Sequence, residues 1–166
     1  MSVMLSVLIE TRNHEEALAR TLASLVSAAV EGMVREVIVL DRGSTDGTSR
    51  VADHAGCVFL AEASLSDGMQ RARGDWLLLI ELGARLVDGW TDEVRRHVAM
   101  DGGAARFTPT RLGFWERLSL KRPGLRAGLL VSKADALSVM RKDWDGLTLA
   151  RTVRARRLDA GILAGD

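Results

Sequence analysis

Apolar and polar positions along this chain fall into two alternating patterns. Short unbroken apolar runs stop at an acid: residues 4–9 end before Glu10, residues 34–40 before Asp41, and residues 76–81 on Glu81 itself. Runs of this length suit buried parallel strands, which are covered on both faces. Between them the apolar residues recur at helical spacing. Glu15–Val30 carries Leu18, Leu22, Leu25, Val26 and Ala29 on one side, has Glu15 and Glu16 in its first turn, and meets Gly32 beyond its end. Residues 46–55, 65–73 and 91–100 read as further helices, and 58–61 as a strand. In the second half, 103–108 and 129–132 read as strands. Residues 113–121 read as a short amphipathic helix, and 133–141 and 147–156 as helices. Strands alternating with helices at this spacing predict βαβ units and a mostly parallel sheet.

The second apolar run leads into Asp41-Arg42-Gly43-Ser44-Thr45-Asp46-Gly47-Thr48. A turn here leaves the carboxyl end of a strand, where open α/β sheets bind ligands. Gly43 and Gly47 permit close backbone approach, and Ser44, Thr45 and Asp46 can cap the next helix. Taken alone, the stretch is a phosphate- or nucleotide-facing turn, or simply a strand-to-helix connection. A dinucleotide fingerprint and a P-loop are both absent from the chain.

Three motifs then add up. Val39-Leu40-Asp41-Arg42-Gly43-Ser44-Thr45-Asp46-Gly47-Thr48 resembles the Val-Asp-Asp-Gly-Ser-Thr-Asp-Gly-Thr segment of family-two glycosyltransferases. Ser6-Val7-Leu8-Ile9-Glu10-Thr11-Arg12-Asn13 resembles that family's opening strand and turn. Ala72-Arg73-Gly74-Asp75-Trp76-Leu77-Leu78-Leu79-Ile80 resembles the strand that leads into its metal-binding Asp-x-Asp. The resemblance covers residues 4–90 well and the rest weakly. It implies a GT-A fold: an α/β three-layer sandwich, Rossmann-like, with a mostly parallel central sheet. Residues 1–166 are expected to form one domain, with a nucleotide-binding half (1–90) and a reduced acceptor-side half (91–166).

The resemblance also implies a site. Glu10, Thr11, Arg12, Asn13, Asp41 and Arg42 would line the nucleotide side of a donor, and Glu81 would stand at the metal position. Three positions depart from the family pattern. Arg42 replaces the carboxylate that accepts a base N–H, and arginine offers only donors. Gly83 replaces the second acid of Asp-x-Asp. Gly146 falls where the family places its catalytic base, leaving Asp145 as the candidate base. Arginines 12, 42, 71 and 85 are expected near the carboxyl edge, where guanidinium groups can neutralise a diphosphate. No tightly bound cofactor is expected, and manganese or magnesium would bind weakly. The implied activity is transfer of a sugar from a nucleotide-diphosphate donor to a glycan or lipid-linked acceptor hydroxyl, with inversion. The alternative is a non-catalytic relative that binds a nucleotide, a glycan or a partner protein.

Composition narrows the partners. A net charge of +1 gives no basic excess for a nucleic-acid binder. The single cysteine, Cys57, excludes an intrachain disulfide and reads as a small apolar filler. Residues 1–9 lack the basic start of a signal peptide, and no apolar run reaches the ~18 residues of a membrane span. The expected location is cytoplasmic; residues 114–126, basic and carrying Phe114 and Trp115, read as a helix packed on the domain, with a contact to the inner membrane face as the alternative.

Overall fold

The structure, a computed structural model, describes residues 3–100, 102–110 and 124–165. Its centre is β1 (Leu5–Thr11), which pairs in parallel with β2 (Val34–Asp41) on one side and with β4 (Trp76–Leu79) on the other. β3 (Val58–Ala61) continues the parallel order outside β2. Beyond β4 the sheet becomes mixed. β7 (Leu129–Ser132) runs antiparallel to β4 and to β6 (Ala105–Pro109). β8 (Arg156–Leu163) is parallel to β6, and the two-residue β5 (Arg85–Leu86) closes the edge against β8. The described strands form one sheet in the order β3-β2-β1-β4-β7-β6-β8-β5.

Helices cover both faces. α1 (Glu15–Val30), α2 (Thr48–His54) and α4 (Trp90–Ala99) pack on the face that carries Leu5, Val7, Ile9, Val39, Leu78 and Phe107. α3 (Leu65–Arg71), α5 (Lys133–Val139) and α6 (Gly146–Thr152) pack on the opposite face, against Leu8, Ile38, Leu40, Leu77 and Leu79. Successive β1 residues therefore enter different cores, as the two-residue period of a strand requires. Fully burying each such aliphatic side chain contributes about 1.5–3 kcal/mol. Trp90 and Phe107 meet edge to face, 6.3 Å between centroids, where α4 crosses β6. The three layers and the mostly parallel centre match the expected architecture. None of the described helices is long and apolar enough to cross a membrane.

Several boundaries differ from the sequence reading. β1 runs on to Thr11, so Glu10 and Thr11 belong to the strand and only Arg12–His14 turn. β4 stops at Leu79, leaving Glu81 in the turn. The helix expected over 147–156 ends at Thr152, and Arg156 opens β8, a strand the helical reading hid. In β8, Leu158, Ala160 and Ile162 are buried while Arg157 and Asp159 are exposed, an alternation only a strand can use. The expected helix over 113–121, with the membrane contact assigned to 114–126, lies almost wholly outside the described residues.

Two motif residues serve packing at the amino edge of the sheet. Ser6, fully buried, donates its hydroxyl to Glu36 Oε1 at 2.7 Å and accepts from the Gly74 N–H at 2.9 Å. Burial alone would raise the Glu36 pKa, yet donors from the Arg73 backbone, Ser6 and the Arg73 guanidinium hold it below the ordinary value. A Cβ at Gly74 would stand 2.7 Å from both Met4 O and Ser6 N, which are backbone atoms of the central strand and cannot step aside. Gly74→Ala is therefore expected to destabilise the fold at the top of the ~1–3 kcal/mol range for overpacking, read as a lower urea midpoint at unchanged slope.

Candidate functional site

The alternation of β1 sorts the motif residues into two groups. Ile9 faces the α1 side, so Thr11 continues that face, whereas Leu8 and Glu10 face the α6 side. On β2, Val39 and Asp41 share the first face and Leu40 the second. The first group locks the loops. Asp41, 4% exposed, accepts from the Gly43 and Ser44 N–H groups at 3.2 and 2.9 Å and from the Ser44 hydroxyl. Asn13, at φ 53, donates its N–H to Ser44 Oγ at 2.9 Å and accepts from the Thr45 N–H at 2.7 Å. Asparagine tolerates this left-handed position better than other non-glycine residues. Asp46 accepts from Thr48 N–H and hydroxyl and from the Glu15 N–H, tying the starts of α1 and α2 together. Gly43 takes φ 87, but Gly47 is the N-cap of α2 at φ −77 and needs no positive angle. The turn is thus an interlocked connection, with Asp41 and Asn13 among its struts. The Thr11 hydroxyl is buried here without a hydrogen-bond partner.

The second group forms a cleft of about 320 Å³ lined by Glu10, Arg42, Glu81 and Asp145, with Ile80, Leu82, Leu125 and Leu147 as apolar walls. It lies where the strand order reverses, outside the carboxyl ends of β1 and β4. Arg42 Nη2 donates to Glu10 Oε2 in an ion pair, with Arg42 half-exposed and Glu10 more shielded. The other oxygen, Glu10 Oε1, accepts the Gly146 N–H at 2.6 Å. One carboxylate thereby joins β1, the β2 turn and the start of α6. A Cβ on Gly146 would come within 2.8 Å of Glu10 Oε1 and 3.2 Å of Leu125 Cδ2. The missing side chain at 146 and the carboxylate at 10 occupy one space.

Asp145 is the N-cap of α6. Its Oδ1 accepts the Thr148 N–H at 2.9 Å and the Thr148 hydroxyl at 2.6 Å. The hydroxyl bond first, then the backbone bond, hold its pKa below the ordinary value, and Arg42 adds a Coulombic pull. Glu81 stands at the head of a turn closed by Ala84 N–H to Glu81 O at 3.1 Å, with Gly83 at φ 86. Gly83 supplies no ligand atom, and the described residues contain no group of three His, Cys, Asp or Glu side chains placed to hold a metal. These residues do not fit a resident divalent ion, which needs several oxygen ligands at once.

Of the four arginines expected at this edge, Arg42 alone enters the cleft. Arg12 is exposed on its turn, Arg71 lines a separate cleft beside β3, and Arg85 lies on β5 by Arg20. Leu125 and Leu147 escaped the sequence reading, because lone leucines outside any motif carry no signal for a cleft wall. Cys57 is half-buried, its thiol pushed up to about 11 by burial, as befits a packing residue.

A parallel β3-β2-β1-β4 half and helices on both faces give a GT-A-type architecture, with a charged cleft at the switch point. The family described as "Glycosyl transferase family 2" matches residues 6–81, the stretch that holds all three motifs. Over these residues the chain is similar to family-two glycosyltransferases. A mannosyltransferase from Pyrobaculum calidifontis, solved with GDP-Man and Mn2+, superposes at a TM-score of 0.71 with 15% identity, covering 97% of this chain and 56% of that one. Glucosyl-3-phosphoglycerate synthase from Mycobacterium tuberculosis, with Mn2+ and UDP-glucose, superposes at 0.63 with 19% identity over 99% and 71%. A TPR repeat-containing protein of Synechococcus elongatus is 34% identical over 95 residues, which are 52% of this chain and 22% of that protein. The chain thus spans about a fifth of that curated relative, and 56% of the synthase in its complex with UDP and phosphoglyceric acid.

The Asp145 cap yields a pH prediction. Its folded pKa lies below the ordinary 3.8, so the charged cap stabilises α6 above that value. This contribution is lost as pH falls through the folded pKa. Asp145→Asn keeps a capping oxygen and is expected to lower stability near neutrality slightly, while making the acid limb of a Tm-against-pH curve shallower below about pH 4.

Proposed function

We propose that this chain transfers a sugar from a nucleotide-diphosphate donor to an acceptor hydroxyl by direct displacement with inversion. The observation that carries the reading is the cleft at the β1/β4 switch point, where an arginine and three carboxylates converge. The donor phosphates would lie toward Arg42, whose guanidinium would neutralise charge on the departing diphosphate. The acceptor oxygen would form its bond to the anomeric carbon as the bond to the diphosphate breaks. Its proton would pass to Asp145, whose Oδ2 is not used by the Thr148 cap. Because Asp145 is held below the ordinary pKa, its contribution belongs at the low end of the ~10²–10⁴-fold range of general-base catalysis. Glu10, Thr11, Arg12, Asn13 and Asp41 would border the nucleotide, Glu10 and Arg42 by contact and the rest through the turn they lock. Glu81 would receive sugar or ribose hydroxyls, and any manganese or magnesium would come with the donor's own phosphates. The acceptor would be a glycan or a lipid-linked sugar presented at a membrane surface.

The closed Arg42–Glu10 pair and the filled space at Gly146 favour a second reading, in which the domain binds a nucleotide or glycan without turnover. Calorimetry with UDP, GDP, UDP-glucose and GDP-mannose, with and without manganese, followed by an assay for released nucleoside diphosphate, separates the two. The transferase reading expects micromolar binding of one donor and slow sugar release that Asp145→Asn lowers at least tenfold. Binding without release supports the second reading, and no binding by any of the four rejects a nucleotide site.

A further inference from the structure

Among the described residues, charge in the cleft is unbalanced: Glu10, Glu81 and Asp145 line it with a single guanidinium, that of Arg42. The direct ion pair is with Glu10, and Asp145 is near enough for Arg42 to pull its pKa down. An incoming phosphate would find Arg42 Nη2 already donating to a carboxylate, with two further negative groups on the walls. Glu10 is also anchored: its Oε1 is fixed by the Gly146 N–H at 2.6 Å, which aims Oε2 at Arg42. The Gly146 position leaves that carboxylate in place, since any side chain there would collide with it.

We infer that Glu10 is a selectivity gate on Arg42, an internal carboxylate that competes with phosphate oxygens for the Arg42 guanidinium. This inference rests on the reading that the cleft takes the phosphates of a nucleotide. An anion gains the Nη2 side of the guanidinium, and with it bidentate pairing there, by displacing Oε2, so free phosphates are disfavoured, and a ligand must recover the broken ion pair through its other contacts. Bidentate pairing of arginine with phosphate is strong enough to compete once the carboxylate charge is gone. Glu10→Gln is the informative change. The amide oxygen still accepts from Gly146, so α6 keeps its anchor, but the competing charge is removed.

The test is calorimetric titration of wild type, Glu10→Gln and Glu10→Gln/Arg42→Gln with inorganic pyrophosphate and with uridine diphosphate, at fixed ionic strength and without divalent metal. Glu10→Gln is expected to bind pyrophosphate at least tenfold more tightly than wild type, and the double variant to lose that gain. Unchanged pyrophosphate affinity in Glu10→Gln, a gain that survives in the double variant, or no binding in any variant overturns the gate. If pyrophosphate follows the expected pattern while uridine diphosphate binds no variant, the gate stands and the nucleotide reading falls. If wild type binds uridine diphosphate but Glu10→Gln gains nothing for either anion, the reverse holds. Should Glu10→Gln fail to fold, the Arg42 Nε–H resonance of wild type gives the answer. A shift on pyrophosphate addition supports exchange away from Glu10, and an unmoved resonance at saturation refutes it.

Discussion

A half-shielded carboxylate at the end of a central strand has to be neutralised, and much of the site follows from how Glu10 meets that demand. Its two oxygens take one charged and one neutral donor, Arg42 Nη2 and the Gly146 N–H. The pair spans residues 32 apart in sequence and the backbone contact residues 136 apart. Hydrogen bonds to charged groups contribute roughly 1.5–3 kcal/mol, and stranding either partner in a part-buried setting costs as much. The start of α6, the β2 turn and β1 are therefore fixed relative to one another by a single side chain. Positions 10, 42 and 146 cannot vary independently: a side chain at 146 would expel the carboxylate, and an acid at 42 would repel it.

The three sequence motifs divide by physical role. Ser6 and Gly74 hold the amino edge of β1 against the segment before β4, and Asp41, Asn13 and Asp46 hold the turns at its carboxyl edge. These residues maintain the architecture, and they match the family pattern. The departures at 42, 83 and 146 fall on or beside the open cleft, where altering chemistry leaves the sheet undisturbed. A family can thus keep a fold whose ligand chemistry has been redrawn.

This division also explains what could be read from the chain alone. β1, β2 and β4 were legible because central strands covered on both faces require continuous apolar runs. The pairing of Arg42 with an acid was legible too, since an arginine flanked by Glu10 and Asp41 is usually neutralised by one of them, and it is Glu10 that does so. The Gly146 contact was not, because no local pattern records a backbone N–H that meets a carboxylate from the other end of the chain. β8 was obscured by arginines at 151, 154, 156 and 157, whose spacing suits a solvated helix as well as a strand edge. β5, with two residues, is made by its partner β8 and has no signature of its own.

Arg106 on β6 gives the cleft a fixed anchor. Its guanidinium reaches across to the Ala150 and Val153 carbonyls at the far end of α6, and to Gly124 O at 3.2 Å. Burial lowers its pKa, yet arginine stays protonated at any physiological pH, so this attachment does not titrate. At the opposite end of α6, the Gly146 N–H is tied to Glu10, which faces the cleft. One charged side chain thus secures each end of α6, Glu10 at its start and Arg106 at its finish, so a substitution at either position is felt along the cleft wall they share.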